Sequence, residues 1–183
     1  IGFYTAMETI LDAIGKIRDT SSAHKRANIV EVMGRHCGDL ALYAAIAGGA
    51  ESVILPEVDF DFDEVKKKML AGKLRGKRHH IILLTEDKLS AYALARDLEE
   101  ATAIETRVTI LGYVQRGGIP TGTDRINASR LGAEAVNYCF GEKKSLALGL
   151  KGGRMLALDL REALAVEKTF DRDLYHLVDK ISI

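Results

Sequence analysis

Four short, almost wholly apolar runs constrain this chain more than any other feature. Residues 27–32, 52–55, 80–85 and 106–111 read as strands. Strands apolar throughout are buried on both faces. Helical patterns alternate with them. Ala6, Ile10, Ile14 and Ile17 place an amphipathic helix over 5–18, ending in a polar loop at 19–22. Asp39 is the expected N-cap of a helix that stops at Gly48 and Gly49. Asp61 or Asp63 caps a third, carrying Val65, Met69 and Leu70 and stopped by Gly72, and a fourth covers 88–101. The alternation predicts an α/β fold: a parallel sheet between two helical layers, a three-layer sandwich.

After Leu111 the composition changes. GYVQRGGIPTGTDR, at 112–125, is rich in glycine and polar residues and reads as a loop that crosses between lobes or approaches a ligand. A helix is expected from about 124 to 140. Residues 146–150 and 155–158 flank Lys151-Gly152-Gly153-Arg154, which reads as a tight hairpin. Helices near 160–166 and 171–181 complete the chain. The lysine run 66–68 reads as a solvated helix face.

The strand scheme sorts the charged residues into two groups. The stretch EVMGRHCGD, at 31–39, ends a strand in a two-glycine turn that holds Arg35. Arg35 and Glu86 follow strands, as do Tyr113, Gln115 and Arg116, so all five share the carboxyl edge of the sheet, where α/β folds bind ligands. Arg26, Glu51, Arg75, Lys77, Arg78, His79 and Arg107 stand at strand starts, on the amino edge. At about 3.3 Å per residue, Arg26 and Arg35 are separated by roughly 25 Å. One small phosphorylated molecule does not span that. The charges therefore predict either two anion sites or one site completed by the opposite edge of a second subunit; the plain alternative is that strand-entry arginines are solvated loop residues.

The formal net charge of +0 over 183 residues argues against a bulk nucleic-acid binder, and no apolar run approaches a membrane span. The first residues show neither a basic leader nor an initiator methionine, which reads as a piece of a longer chain. Cys37 and Cys139 form no metal spacing and suit a reduced, cytoplasmic protein. Beside Arg35 and His36, Cys37 is either a low-pKa thiolate or a small half-buried thiol.

A set of motifs, in order along nearly the whole chain, resembles bacterial 6-phosphofructokinase. They are IGFYTA from Ile1, HKR from His24, EVMGRHCGDLAL from Glu31, AGGAE from Ala47, RGKRH from Arg75, ETRVTILGYVQRGGIPT from Glu105 and DRINASRLGA from Asp124. The match is to the carboxyl-terminal portion, with the nucleotide loop and catalytic base upstream. The resemblance implies transfer of the γ-phosphoryl group of Mg-ATP to the 1-hydroxyl of fructose 6-phosphate. It implies that Met33, Gly34 and Arg35 line the sugar-phosphate site, that Arg35 also stabilises charge in flight, and that Glu86 accepts from sugar hydroxyls. Tyr113, Val114, Gln115 and Arg116 would receive the 6-phosphate. Arg26 and Arg107 correspond to arginines that reach it from a neighbouring subunit of a homotetramer. Arg18, Gly49, Ala50, Glu51, Arg75, Lys77, Arg78 and His79 correspond to an effector site for ADP or phosphoenolpyruvate, with Glu51 holding an effector-bound Mg²⁺.

Two departures accompany the resemblance. Tyr113 stands where the family usually has histidine, which removes a positive charge and leaves pyrophosphate open as donor. The stretch 86–90 is less glycine-rich than expected. The implied division is a substrate and effector lobe at 1–115, a segment of a second α/β lobe at 116–168, and a final helix at 169–183 that rejoins the first lobe. On this reading the chain alone is inactive. The competing reading is a noncatalytic sugar-phosphate or nucleotide-binding regulatory module.

Overall fold

The computed structural model describes residues 2–140 and 145–182; Ile1 and Ile183, the ends of the first motif and of the last expected segment, lie outside them. The elements are α1 (Phe3–His24), β1 (Ala27–Val32), α2 (Asp39–Gly48), β2 (Ser52–Ile54), α3 (Phe62–Leu74), β3 (His80–Thr85), α4 (Ala91–Thr102) and β4 (Thr106–Ile110). A 3₁₀ turn (Gly112–Gln115), α5 (Gly122–Cys139), β5 (Leu146–Lys151), β6 (Arg154–Asp159), α6 (Leu160–Ala165) and α7 (Arg172–Ile181) follow. Two compact units result: Ala6–Gly117 with Asp171–Ile183, and Ile1–Thr5 with Gly118–Phe170.

The larger unit holds the parallel sheet, in the order β2-β3-β1-β4. Its two central strands are the most apolar, as burial on both faces demands. Successive side chains leave a strand on opposite sides. Ala27, Ile29, Ile82 and Leu84 face one layer, where they pack with Val65 and Met69 of α3 and Leu94, Ala95 and Leu98 of α4. Val30, Ile81 and Leu83 are equally buried on the other side. There α2 packs against β2, β3 and α7, and Gly48 of α2 lies close to Leu11 and Ile14 of α1. The expected three-layer α/β arrangement is therefore present. No described helix is long and apolar enough to cross a membrane.

Several local expectations are corrected. Helix α1 runs through the segment expected to be a polar loop, because Thr20 Oγ1 and Ser21 Oγ donate to the carbonyls of Lys16 and Ile17 at 3.1 and 2.6 Å. Their hydroxyls are satisfied inside the helix instead of ending it. Asp39 is the first residue of α2, and no side chain of the N-cap residue Gly38 closes that end. Glu57, from the loop after β2, accepts from Gly38 N at 2.9 Å in its place. Gly72 lies buried within α3, which continues past it to Leu74. Helix α4 starts at Ala91, where Ser90 Oγ accepts from Ala93 N at 3.3 Å. Lys68 is half-covered and ties α3 to α7, 2.5 Å from Asp179.

The smaller unit is built on Asp124. Its carboxylate accepts from the backbone N–H of Gly2 and Thr5, both at 2.8 Å, and from Thr5 Oγ1 at 2.6 Å. The Thr5 hydroxyl leads the bonds that hold its pKa below the ordinary carboxylate value. It is the only buried residue among those described in this unit. The expected hairpin is present as antiparallel β5 and β6. Gly152 and Gly153, at φ +57° and +77°, supply the two left-handed residues that such a two-residue turn requires.

Candidate functional site

At the carboxyl edge, two side chains stitch three loops together. Glu86 Oε1, just after β3, accepts from Gly34 N at 3.0 Å. Gln115, 2% exposed, accepts through Oε1 from Met33 N at 3.2 Å and donates through Nε2 to Gly112 O at 3.0 Å. The loops after β1, β3 and β4 thus form one surface. Gly34 is required by close approach: a Cβ there would meet the backbone oxygen of Cys37 and lie 2.8 Å from Thr85 Cγ2. Arg35 follows in the left-handed region at φ +51°, with its side chain exposed. Such strain in a residue other than glycine costs roughly 1–2 kcal/mol and marks a position held by its surroundings.

Tyr113 and Val114 stand exposed on the 3₁₀ turn, and the Arg116 guanidinium lies over the Tyr113 ring, 5.1 Å from its centroid. The phenol thus supplies a surface that orients a cation. Burial, then the neighbouring Glu86 and Asp87 carboxylates, pushes the pKa of Glu31 up. Thr85 Oγ1 is buried with no partner among the described residues.

The amino edge gathers Arg26 and Arg107 around one carboxylate. Glu105 Oε2 is 2.6 Å from Arg26 Nε, and its Oε1 pairs with Arg107 Nη2. The hydrogen bond from Arg26, more than any other contact, holds the Glu105 carboxyl below its ordinary pKa. Neither arginine approaches Arg35, because all of β1 intervenes. Glu105 was not singled out in the sequence as a site residue; its role arises from the alignment of β1 with β4, which pairs Ala27 with Thr106.

The remaining amino-edge residues fall into separate places. Glu51 is 3% exposed: its Oε1 faces Lys77 Nζ at 2.9 Å and His79 Nε2 at 3.6 Å, and its Oε2 accepts from Ile81 N at 2.6 Å. His79 Nδ1 lies 2.9 Å from Ser22 Oγ. Arg18 donates to the carbonyls of Gly48 and Gly49, capping the end of α2, with Gly49 in the left-handed region at φ +63° and Ala50 buried behind it. Arg75 and Arg78 are exposed. Burial, followed by nearby cations such as Lys77, lowers the pKa of His80 to about 4 against the opposing pull of Glu51.

Cys37, Asp39 and Glu57 offer ligand atoms within 4.8 Å of one another. Glu57 is turned to Gly38 N at the start of α2, where the helix dipole favours a carboxylate over a cation.

Comparison with known proteins gives a consistent answer. A family model described as Phosphofructokinase matches residues 1–139. The chain is 55% identical over its full length to the ATP-dependent 6-phosphofructokinase of Alkaliphilus metalliredigens (strain QYMF), covering 57% of that protein. It is 52% identical over 182 residues to that of Clostridium acetobutylicum, again covering 57%. Among solved structures, phosphofructokinase from Saccharomyces cerevisiae aligns with a TM-score of 0.81 at 31% identity, over 97% of this chain and 24% of that one. The chain thus spans little more than half the length of the curated relatives it matches.

Proposed function

The chain belongs to the phosphofructokinase family, and on that footing we propose that the protein carrying it transfers the γ-phosphoryl group of ATP to the 1-hydroxyl of fructose 6-phosphate. The observation that carries this reading is the stitched carboxyl edge, where Gly34 meets Glu86 and Met33 meets Gln115. It offers backbone, carboxylate and guanidinium groups on one surface, as a phosphorylated sugar requires. In this reading Glu86 accepts from sugar hydroxyls while holding the Gly34 turn. Arg35 faces the phosphoryl group in transfer, where a positioned cation stabilises developing charge. Arg116, carried on the Tyr113 ring, meets the 6-phosphate, with Val114 beside it.

Arg26 and Arg107 act on the 6-phosphate bound by a neighbouring subunit. Their pairing on Glu105, at the opposite edge from Arg35, supports an assembly in which one subunit completes the next. The same reading carries a cytoplasmic homotetramer regulated by ADP or phosphoenolpyruvate near Arg18, Gly49, Ala50, Arg75, Lys77, Arg78 and His79. Mg²⁺ enters with the nucleotide. Glu51 is given no metal: a carboxylate whose oxygens already face Lys77 Nζ and Ile81 N is poorly suited to a divalent cation.

The test is Arg107→Ala in the complete protein. The expected result is a rise in the fructose 6-phosphate KM of about tenfold or more, the loss of one charge-assisted contact, with the ATP KM nearly unchanged. Equal effects on both substrates would sink the assignment. The 183 residues alone are expected to give no turnover in a coupled assay.

A further inference from the structure

The Arg35 side chain is exposed and makes no ion pair among the described residues. Its direction is therefore set by the backbone that carries it, the turn from Met33 to Gly38. That backbone is strained at Arg35, with φ +51°, and a strained residue keeps its conformation only where its surroundings hold it on both sides. On the upstream side, Gln115 takes Met33 N and Glu86 takes Gly34 N. Inside the turn, Cys37 N donates to Gly34 O at 2.9 Å. The downstream side rests on Glu57, whose two carboxylate oxygens accept from Gly38 N at 2.9 and 3.1 Å.

Glu57 reaches this point from outside the surface assembled by the loops after β1, β3 and β4. It stands on the loop after β2, and β3 lies between β2 and β1 in the sheet. Two features mark the contact as built. A Cβ on Gly38 would lie 2.6 Å from Glu57 Oε2 and 2.8 Å from Leu55 Cδ2, so glycine is what admits the carboxylate. A carboxylate oxygen of Asp39 also lies within 4.8 Å of one of Glu57. Like charges so close oppose each other, and the amino end of α2, where both stand, offsets that repulsion. Gly38 O meanwhile accepts the first bond of α2, from Leu42 N at 2.9 Å. Gly38 is thus the point where the turn is joined to the helix, and Glu57 holds it.

We propose that Glu57 is a positioning residue for phosphoryl transfer: it ties the turn to the start of α2 and so fixes the direction in which Arg35 presents its guanidinium. Its carboxylate meets the backbone of Gly38, not the reacting groups. The role rests on the assignment of Arg35 to the phosphoryl group in transfer. It differs from simple capping of a helix, which would change stability and leave the turnover of folded protein alone.

Steady-state kinetics of the complete protein, with denaturant unfolding of each variant to verify its fold, tests it. Glu57→Ala should lower kcat about tenfold or more, as a small misplacement at a reacting centre does, with the ATP KM nearly unchanged. Glu57→Gln, whose amide oxygen reaches the same N–H, should recover most of kcat. Glu57→Asp keeps the charge but draws it back from Gly38 N, and should lower kcat about threefold or more; it serves equally if Glu57→Ala does not fold. In an Arg35→Ala background, Glu57→Ala should change kcat by less than about twofold, since the two residues act as one unit. Wild-type kcat in folded Glu57→Ala or Glu57→Asp, a loss in Glu57→Gln equal to that in Glu57→Ala, or losses that multiply in the double variant would overturn the role and leave the assignment of Arg35 standing. Wild-type kcat in Arg35→Ala would overturn both.

Discussion

Glu105 holds Arg26 at 2.6 Å with one carboxylate oxygen and engages Arg107 with the other, so an arginine just before β1 and one on β4 share one anion. A phosphate arriving from a neighbouring subunit meets guanidiniums already aligned but also a competing negative charge. Exposed pairs contribute little alignment energy, and glutamine keeps an acceptor for the arginines. Removing the charge therefore matters more than loosening the pair. In the complete protein, Glu105→Gln is expected to lower the fructose 6-phosphate KM about threefold with kcat nearly unchanged; steady-state kinetics measures both.

Gly34→Ala forces a methyl group against the Cys37 carbonyl and Thr85 Cγ2. Overpacking of this kind costs roughly 1–3 kcal/mol, and the displaced turn carries Arg35. Denaturant unfolding should show that loss, and sugar-phosphate binding should weaken in parallel. A variant with wild-type stability and binding would show that the turn yields freely.

Thr85→Val tests the same contact from the other side. The hydroxyl is buried without a partner among the described residues, so its removal should stabilise the fold by about 1 kcal/mol while the methyl group still packs against Gly34. A loss of stability would mean that the hydroxyl has a partner in solution.

Acid should destabilise the larger unit through His80. Its pKa in the fold is about 4, below the value of about 6.5 expected when unfolded. The neutral ring's contribution is thus fully present above pH 6.5. It declines as the unfolded chain takes up the proton, and is lost as pH falls through about 4. Integrated over that window, the loss is roughly 3 kcal/mol. Unfolding measured between pH 7 and pH 4 should follow this slope, and His80→Gln should flatten it.

Asp124→Ala should lower the melting temperature by about 5 °C, because the N–H groups of Gly2 and Thr5 lose a charged acceptor worth roughly 2 kcal/mol. Asp124→Asn should recover part of the loss, since its amide oxygen still accepts.

The sheet was legible in the sequence because strands buried on both faces leave unbroken apolar runs, as at β1 and β3. Helix ends were less so. Thr20 and Ser21 resemble loop residues until their bonds to the preceding turn are seen, and Gly72 resembles a stop although α3 continues to Leu74. In the site, Arg35 and Glu86 could be placed because each directly follows a strand. Glu105 and the start of α2 held by Glu57 could not, since both depend on segments that meet only in the folded chain.

Strand β1 is six residues long, with Arg26 just before it and Met33 just after. Its length is therefore quantised. Losing one residue would turn every following side chain to the wrong face; losing two would restore the faces but draw the ends together by about 6.6 Å. In the proposed assembly that change would pull one subunit's arginine out of reach of its neighbour's phosphate. Descendants of this sequence can exchange the side chains of β1 more freely than they can alter its count.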